Sequence, residues 1–80
     1  MNDIIIIVTI AAGPWARNYI AEKTTRLKLK DGSNISDALD FLGIPPDEIG
    51  LIAVNGKAEP QGFKLRGGDR IEIFPVIVGG

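Results

Sequence analysis

Two residue types are missing from the 80-residue chain altogether: cysteine and histidine. The absence of cysteine excludes a disulfide framework and thiolate chemistry, whether metal-binding or redox. The absence of histidine removes the commonest general base and the commonest transition-metal ligand together. An excess of either charge is also lacking, since acids and bases nearly cancel to a formal net charge of −1. The basic residues are dispersed among acids rather than gathered into a patch, which argues against nucleic acid as a partner. Nor is there a long hydrophobic run. The densest, Ile4 to Ile10, is too short to span a bilayer, and it follows an acidic Met1-Asn2-Asp3 instead of the basic flank of a signal peptide. These absences predict a soluble, unexported, cytoplasmic protein with no membrane or nucleic-acid role.

The size is that of one domain, residues 1–80, with a single modest core and marginal stability from burial alone. Ile4 to Ile10 is rich in β-branched residues, whose stiff side chains suit a pleated strand. Being apolar on both faces, it is expected inside a sheet, ending where Ala11-Ala12-Gly13-Pro14 breaks it. Thr24 to Lys30 alternates, with Leu27 and Leu29 on one face and Arg26, Lys28 and Lys30 on the other, as a half-solvated strand does. Asn34 then stands at a helix N-cap, with Asp37 in the first turn. Ile35, Ala38, Leu39 and Leu42 form one helical stripe, and Gly43 with Pro45-Pro46 ends it. Leu51 to Val54 reads as a strand leading into Asn55-Gly56, a strong hairpin signal. Residues 57–66 form a short return strand plus loop, Gly67-Gly68-Asp69 a turn, and Arg70 to Phe74 the last strand. There Ile71 and Ile73 face oppositely to Glu72 and Phe74, while Pro75 ends pairing or confines it to an edge.

A two-turn helix of this kind holds its shape only by packing its stripe on a sheet. The early hairpin strands and the late strand must therefore share one sheet. The expected fold is α+β: a β-grasp, ubiquitin-like arrangement of four to five mixed strands with one helix across one face.

Beyond the last strand comes Val76-Ile77-Val78-Gly79-Gly80. Fully extended, these residues 76–80 reach roughly 17 Å at ~3.3–3.6 Å each, enough to thread a carboxylate into another protein's site. Glycines without Cβ pass a slot that side chains would block, and capture of a terminal carboxylate by backbone donors is an established recognition mode. The alternative reading of a terminal Gly-Gly is a frayed end; the three large aliphatic residues just before it set this tail apart.

The run Val54-Asn55-Gly56, then Leu65-Arg66-Gly67-Gly68-Asp69-Arg70-Ile71-Glu72-Ile73-Phe74-Pro75, ending in Gly79-Gly80, resembles the ThiS/MoaD family of ubiquitin-like sulfur carriers. The segment from Asp31 to Ile44 is similar to that family's helix, and the resemblance covers residues 24–80, leaving the loop with Trp15, Arg17 and Tyr19 outside it. The resemblance implies a substrate of enzymes rather than an enzyme. A ubiquitin-activating-type adenylating enzyme would convert the Gly80 carboxylate to an acyl-adenylate, and a sulfur donor would displace AMP to leave a thiocarboxylate. The sulfur would then pass to an acceptor synthase, either the molybdopterin synthase large subunit or thiazole synthase. Phe74-Pro75 and the chain length favour the molybdopterin branch over the thiamine one. Gly80 would carry the sulfur and Gly79 keep its approach clear. No cofactor is implied for this chain; ATP and Mg would belong to the activating partner.

The partner-binding surface expected with this reading is Phe74, Pro75, Val76, Ile77 and Val78, extended by Ile5 and Ile7 if Ile4, Ile6 and Val8 face the helix. Phe74 is then an exposed anchor on the open sheet face, unless a loop covers it. Asp37 and Asp40 suit a solvated helix face, not a metal site, and Gly67-Gly68 lacks the spacing of a phosphate loop. Lys64, Arg66 and Arg70 are either ordinary solvated charge or steer an acidic partner. Trp15 and Tyr19 fit core or loop packing equally. A second function class stays open: a ubiquitin-like interaction module that binds through its sheet and never carries sulfur.

Overall fold

A computed structural model describes residues 4–77. The strands are β1 (Ile5–Ala12), β2 (Thr24–Lys30), β3 (Ile49–Val54), β4 (Lys57–Ala58) and β5 (Arg70–Pro75), and the helix α1 is Ile35–Leu42. Short 3-10 turns occupy Pro14–Ala16 and Pro46–Glu48. The strands form one five-stranded mixed sheet in the order β2-β1-β5-β3-β4. β1 runs antiparallel to β2 and parallel to β5, and β3 is antiparallel to both β5 and β4. This is the β-grasp fold.

The alternation read in the sequence decides which side chains meet the helix. Ile6, Val8 and Ile10 of β1, Leu27 and Leu29 of β2, Ile52 and Val54 of β3, and Ile71 and Ile73 of β5 are buried with Ile35, Ala38 and Leu39 of α1. Ile4, expected on this face, precedes the strand and is exposed. β1 continues through Ala12 rather than stopping at Ile10, because Ala11 and Ala12 still pair with β5 beside Glu72 and Ile73; Gly13-Pro14 ends it. The return strand is only Lys57–Ala58.

The helix start is fully satisfied. Asn34 Oδ1 accepts from the Asp37 N–H at 2.8 Å, and Asp37 Oδ2 accepts from the Asn34 N–H at 2.9 Å, a reciprocal capping box. The Ile35 and Ser36 N–H groups donate to the Phe63 and Gln61 carbonyls, so the 59–69 loop ties down the donors that a helix leaves unpaired. Asp37 is exposed, as expected of a solvated helix face, and also closes the cap. Gly43 closes the other end at φ 75°, in the left-handed region. The Asn55-Gly56 turn has φ 53° and 85°, as a tight hairpin of this type requires.

Asp69 is the one buried charged residue among the described residues. Its Oδ1 accepts from Asn55 Nδ2 at 2.9 Å and its Oδ2 from the Arg66 N–H at 2.8 Å. Asn55 Oδ1 in turn accepts from the Arg70 N–H at 2.9 Å. The β3–β4 turn and the turn entering β5 are thus pinned together by side chains, and the buried carboxylate is paired.

Candidate functional site

The tail leaves the body from β5, which lies between β1 and β3. Pro75 had been expected to end pairing or to mark an edge strand. It sits at the end of an interior strand, opposite Ile49, where a missing N–H costs the ladder least. The β3–β5 register shifts between Ile49 and Leu51, placing Gly50 at the irregularity. A Cβ on Gly50 would lie 2.5 Å from the Pro75 carbonyl oxygen and 3.1 Å from Val76 Cα. Only a residue without a side chain lets the root of the tail pass so close. The Val76 N–H then donates to the Glu48 carbonyl at 3.1 Å. Val76 is half exposed, and Ile77 is 89% exposed. Val78, Gly79 and Gly80 lie outside the described residues.

Phe74 lies on the open face of the sheet, directly opposite Leu51 on β3. Phe74 is 44% exposed and Leu51 50%, so no loop covers this cross-strand pair. Leu51 was not anticipated as a site residue; its assignment needed the β3–β5 register. Trp15, half-buried against the core, borders a depression with Phe74, Pro75, Lys23 and Arg70, and a second one with Asp47, Glu48, Pro75 and Val76. The loop left outside the family resemblance therefore stands beside the root of the tail. From the same loop, Tyr19 Oη donates to Glu48 Oε2 at 2.6 Å. That hydrogen bond, with desolvation and the charges of Glu48 and Asp47, pushes the phenol above its ordinary 10.0.

Ile5 and Ile7 also lie on the open face and are about half exposed, opposite Lys30 and Lys28. They do not join Phe74 in one patch. Thr9 pairs with Arg70; Ile7 comes two residues before that level and Phe74 four after it, a separation of roughly 20 Å at ~3.3 Å per residue. Between the two apolar ends runs a polar belt, in which Thr9 has Arg26 on one side and Arg70 on the other, followed by Glu72 beside Ala11. Lys64 lies across the molecule, bridged to Asn34 at the helix start.

Chemically, among the described residues the site offers an exposed tail root at Val76 and Ile77 beside the apolar Phe74–Leu51 pair, and not a reactive constellation. Among the described residues there is no group of three or more histidine, cysteine, aspartate or glutamate side chains that could hold a metal ion. Asp40 is exposed and Asp37 is occupied in the cap. Gly68 has φ 90° in a turn whose Gly68 N–H donates to the Ile7 carbonyl, a structural use of the glycine pair. Among the described residues no helix is long and apolar enough to cross a membrane.

Residues 16–78 match the family described as Mut7-C ubiquitin. No curated protein matches the chain. Among solved structures, the fold is similar to SAMP1 from Haloferax volcanii, at 20% identity and a TM-score of 0.74, covering 92% of this chain and 99% of that one. It is also similar to a structure named as a molybdopterin converting factor, subunit 1, from Pyrococcus furiosus, at 19% identity and a TM-score of 0.76, covering 90% and 99%. A third similar structure is the HVO 2177 protein of Haloferax volcanii, at 18% identity and a TM-score of 0.79, covering 100% and 94%.

Proposed function

The chain belongs to the Mut7-C ubiquitin family, and on that premise we propose that it is a sulfur carrier whose reagent is the Gly80 carboxylate. One observation carries the reading: the chain is held at Val76 and then leaves the fold from its surface, with Ile77 89% exposed. A tail rooted this way would be placed to enter a partner's active site, where Gly79-Gly80 would pass and side chains would not. The names of the similar folds, a modifier protein and a molybdopterin converting factor subunit, fit the same reading.

A carboxylate is a poor electrophile, and this chain carries no histidine or cysteine to activate it. The proposal therefore assigns activation to an adenylating partner of the ubiquitin-activating type, which supplies ATP and Mg. A Gly80 carboxylate oxygen attacks the α-phosphate of ATP and expels pyrophosphate. Sulfide from a donor then attacks the acyl carbon and expels AMP, leaving a thiocarboxylate. That sulfur passes to an acceptor synthase, with molybdopterin assembly favoured over thiazole assembly. Phe74, Pro75, Val76 and Ile77 would provide the contact surface nearest the tail, Leu51 would join them, and Val78 would lead to the narrow Gly-Gly end.

The second reading is a non-catalytic interaction module that binds through the open face, favoured by the exposed Phe74–Leu51 pair. Intact-mass measurement separates the two. After incubation with ATP, Mg, the adenylating enzyme and a sulfide donor, the carrier should gain the mass difference between sulfur and oxygen. Deleting Gly80, or adding one residue after it, should abolish the gain while leaving the circular dichroism spectrum unchanged. No gain with an enzyme that modifies its known carrier in the same assay would leave the interaction module as the better account.

A further inference from the structure

The residue that ties the tail to the body is Glu48, and three of its groups are engaged with three different segments. Its N–H donates to the Pro45 carbonyl at 3.1 Å, its carboxylate accepts from the Tyr19 hydroxyl at 2.6 Å, and its carbonyl accepts from the Val76 N–H at 3.1 Å. Tyr19 is itself on a firm base. The Tyr19 and Ile20 N–H groups donate to the Ala16 carbonyl at 2.9 and 2.8 Å, and Ala16 and Ile20 are buried. The 13–20 loop is thus anchored in the core at two points and reaches out to hold the turn that holds the tail. Gly50 completes the seat by allowing Pro75 and Val76 to lie against β3.

We propose that this loop is a positioning element for the C-terminal tail, with Tyr19 acting through Glu48 to fix the direction in which the chain leaves the fold. Without the phenol contact, the Glu48 side chain loses its partner and the 3-10 turn Pro46–Glu48 loses a tie to the core; its carbonyl then presents a less fixed acceptor to Val76. Val76 is then held less firmly, and the direction in which the backbone passes Ile77 is less fixed. A partner that must receive the tail in one orientation then meets a productive arrangement less often, which raises KM without altering the chemical step. The functional half of this proposal rests on the sulfur-carrier reading, whereas the positioning half does not.

The test uses the full chain as Tyr19→Phe, which keeps the ring and removes only the hydroxyl. Amide hydrogen exchange at Val76 should quicken about three- to tenfold, while Ile10 and Ile73 in the sheet keep their wild-type rates. Glu48→Gln, whose amide oxygen still accepts a hydrogen bond, should stay within about twofold of wild type at Val76. With the adenylating enzyme, Tyr19→Phe should raise KM for the carrier and leave kcat unchanged. Unchanged Val76 exchange in Tyr19→Phe, or a rise shared equally by Ile73, would overturn the proposal, the second outcome marking the contact as general stabilisation. A wild-type chain that is never adenylated would sink the sulfur-carrier reading, and Val76 exchange would then decide the positioning role alone.

Discussion

At the scale of single residues, Gly50 and Asp69 do work that their neighbours in sequence do not announce. Gly50 has no unusual backbone angle to mark it; its need for a missing side chain arises from the Pro75 carbonyl, 2.5 Å from where a Cβ would sit. Gly50→Ala should therefore destabilise the fold by about 1–3 kcal/mol, because backbone rather than a flexible side chain must give way. Gly62→Ala is the matched control: nothing lies within 4 Å of its Cβ position, and the change should fall within about 0.5 kcal/mol. Urea denaturation of both variants reads the difference. Asp69 shows the same dependence on context. In sequence it is one acid in a Gly-Gly-Asp turn; in the fold its two oxygens join Asn55 to Arg66 and close the sheet's turn end.

At the scale of elements, the helix is local in its causes and the loop is not. Asn34, Asp37, the apolar stripe and Gly43 all lie within α1 or next to it, and the cap contributes about 1 kcal/mol by itself. The 13–20 loop instead takes its role from Glu48, 29 residues beyond Tyr19. This contact has an alkaline signature. The Tyr19 phenol is raised above 10.0, first by its hydrogen bond to Glu48, so the folded chain holds that proton more tightly than the unfolded chain. Its stabilisation is complete below pH 10.0, the unfolded value, and is lost as pH rises through the folded value. Tyr19 is the single tyrosine, so tyrosinate absorbance follows it without overlap from another phenol. The midpoint should lie above 10.0 in the native protein and fall back towards it in Glu48→Gln, where the charge is gone.

At the scale of the whole molecule, the sheet order separates what the strands share. Ile5, Ile7, Leu51 and Phe74 all face away from the helix, yet the parallel β1–β5 register puts the isoleucines at one end and the Phe74–Leu51 pair at the other, beside the tail. If the tail is the part a partner receives, binding energy should concentrate at the near end. Phe74→Ala should then weaken docking to the adenylating enzyme about tenfold or more, and Ile5→Ala by no more than about twofold. A titration with each variant checks this; equal losses would mean that the partner spans the full open face.

The amino-acid sequence by itself determined the pieces whose causes are short-ranged. These are the alternation of Leu27 and Leu29 against Arg26 and Lys28, the helix between Asn34 and Gly43, and the Asn55-Gly56 hairpin. A period and a turn each depend on residues only a few positions apart. The order of strands and helix implied the β-grasp, and the family resemblance in residues 24–80 added the sulfur-carrier role expected of the tail. Tertiary structure alone decided the insertion of β5 between β1 and β3, the close passage of Pro75 over Gly50, the polar belt that divides the open face, and the hold of Tyr19 and Glu48 on Val76. Each of these joins residues far apart in the chain, so their pairing follows from how the sheet closes around the core and is encoded in no local pattern.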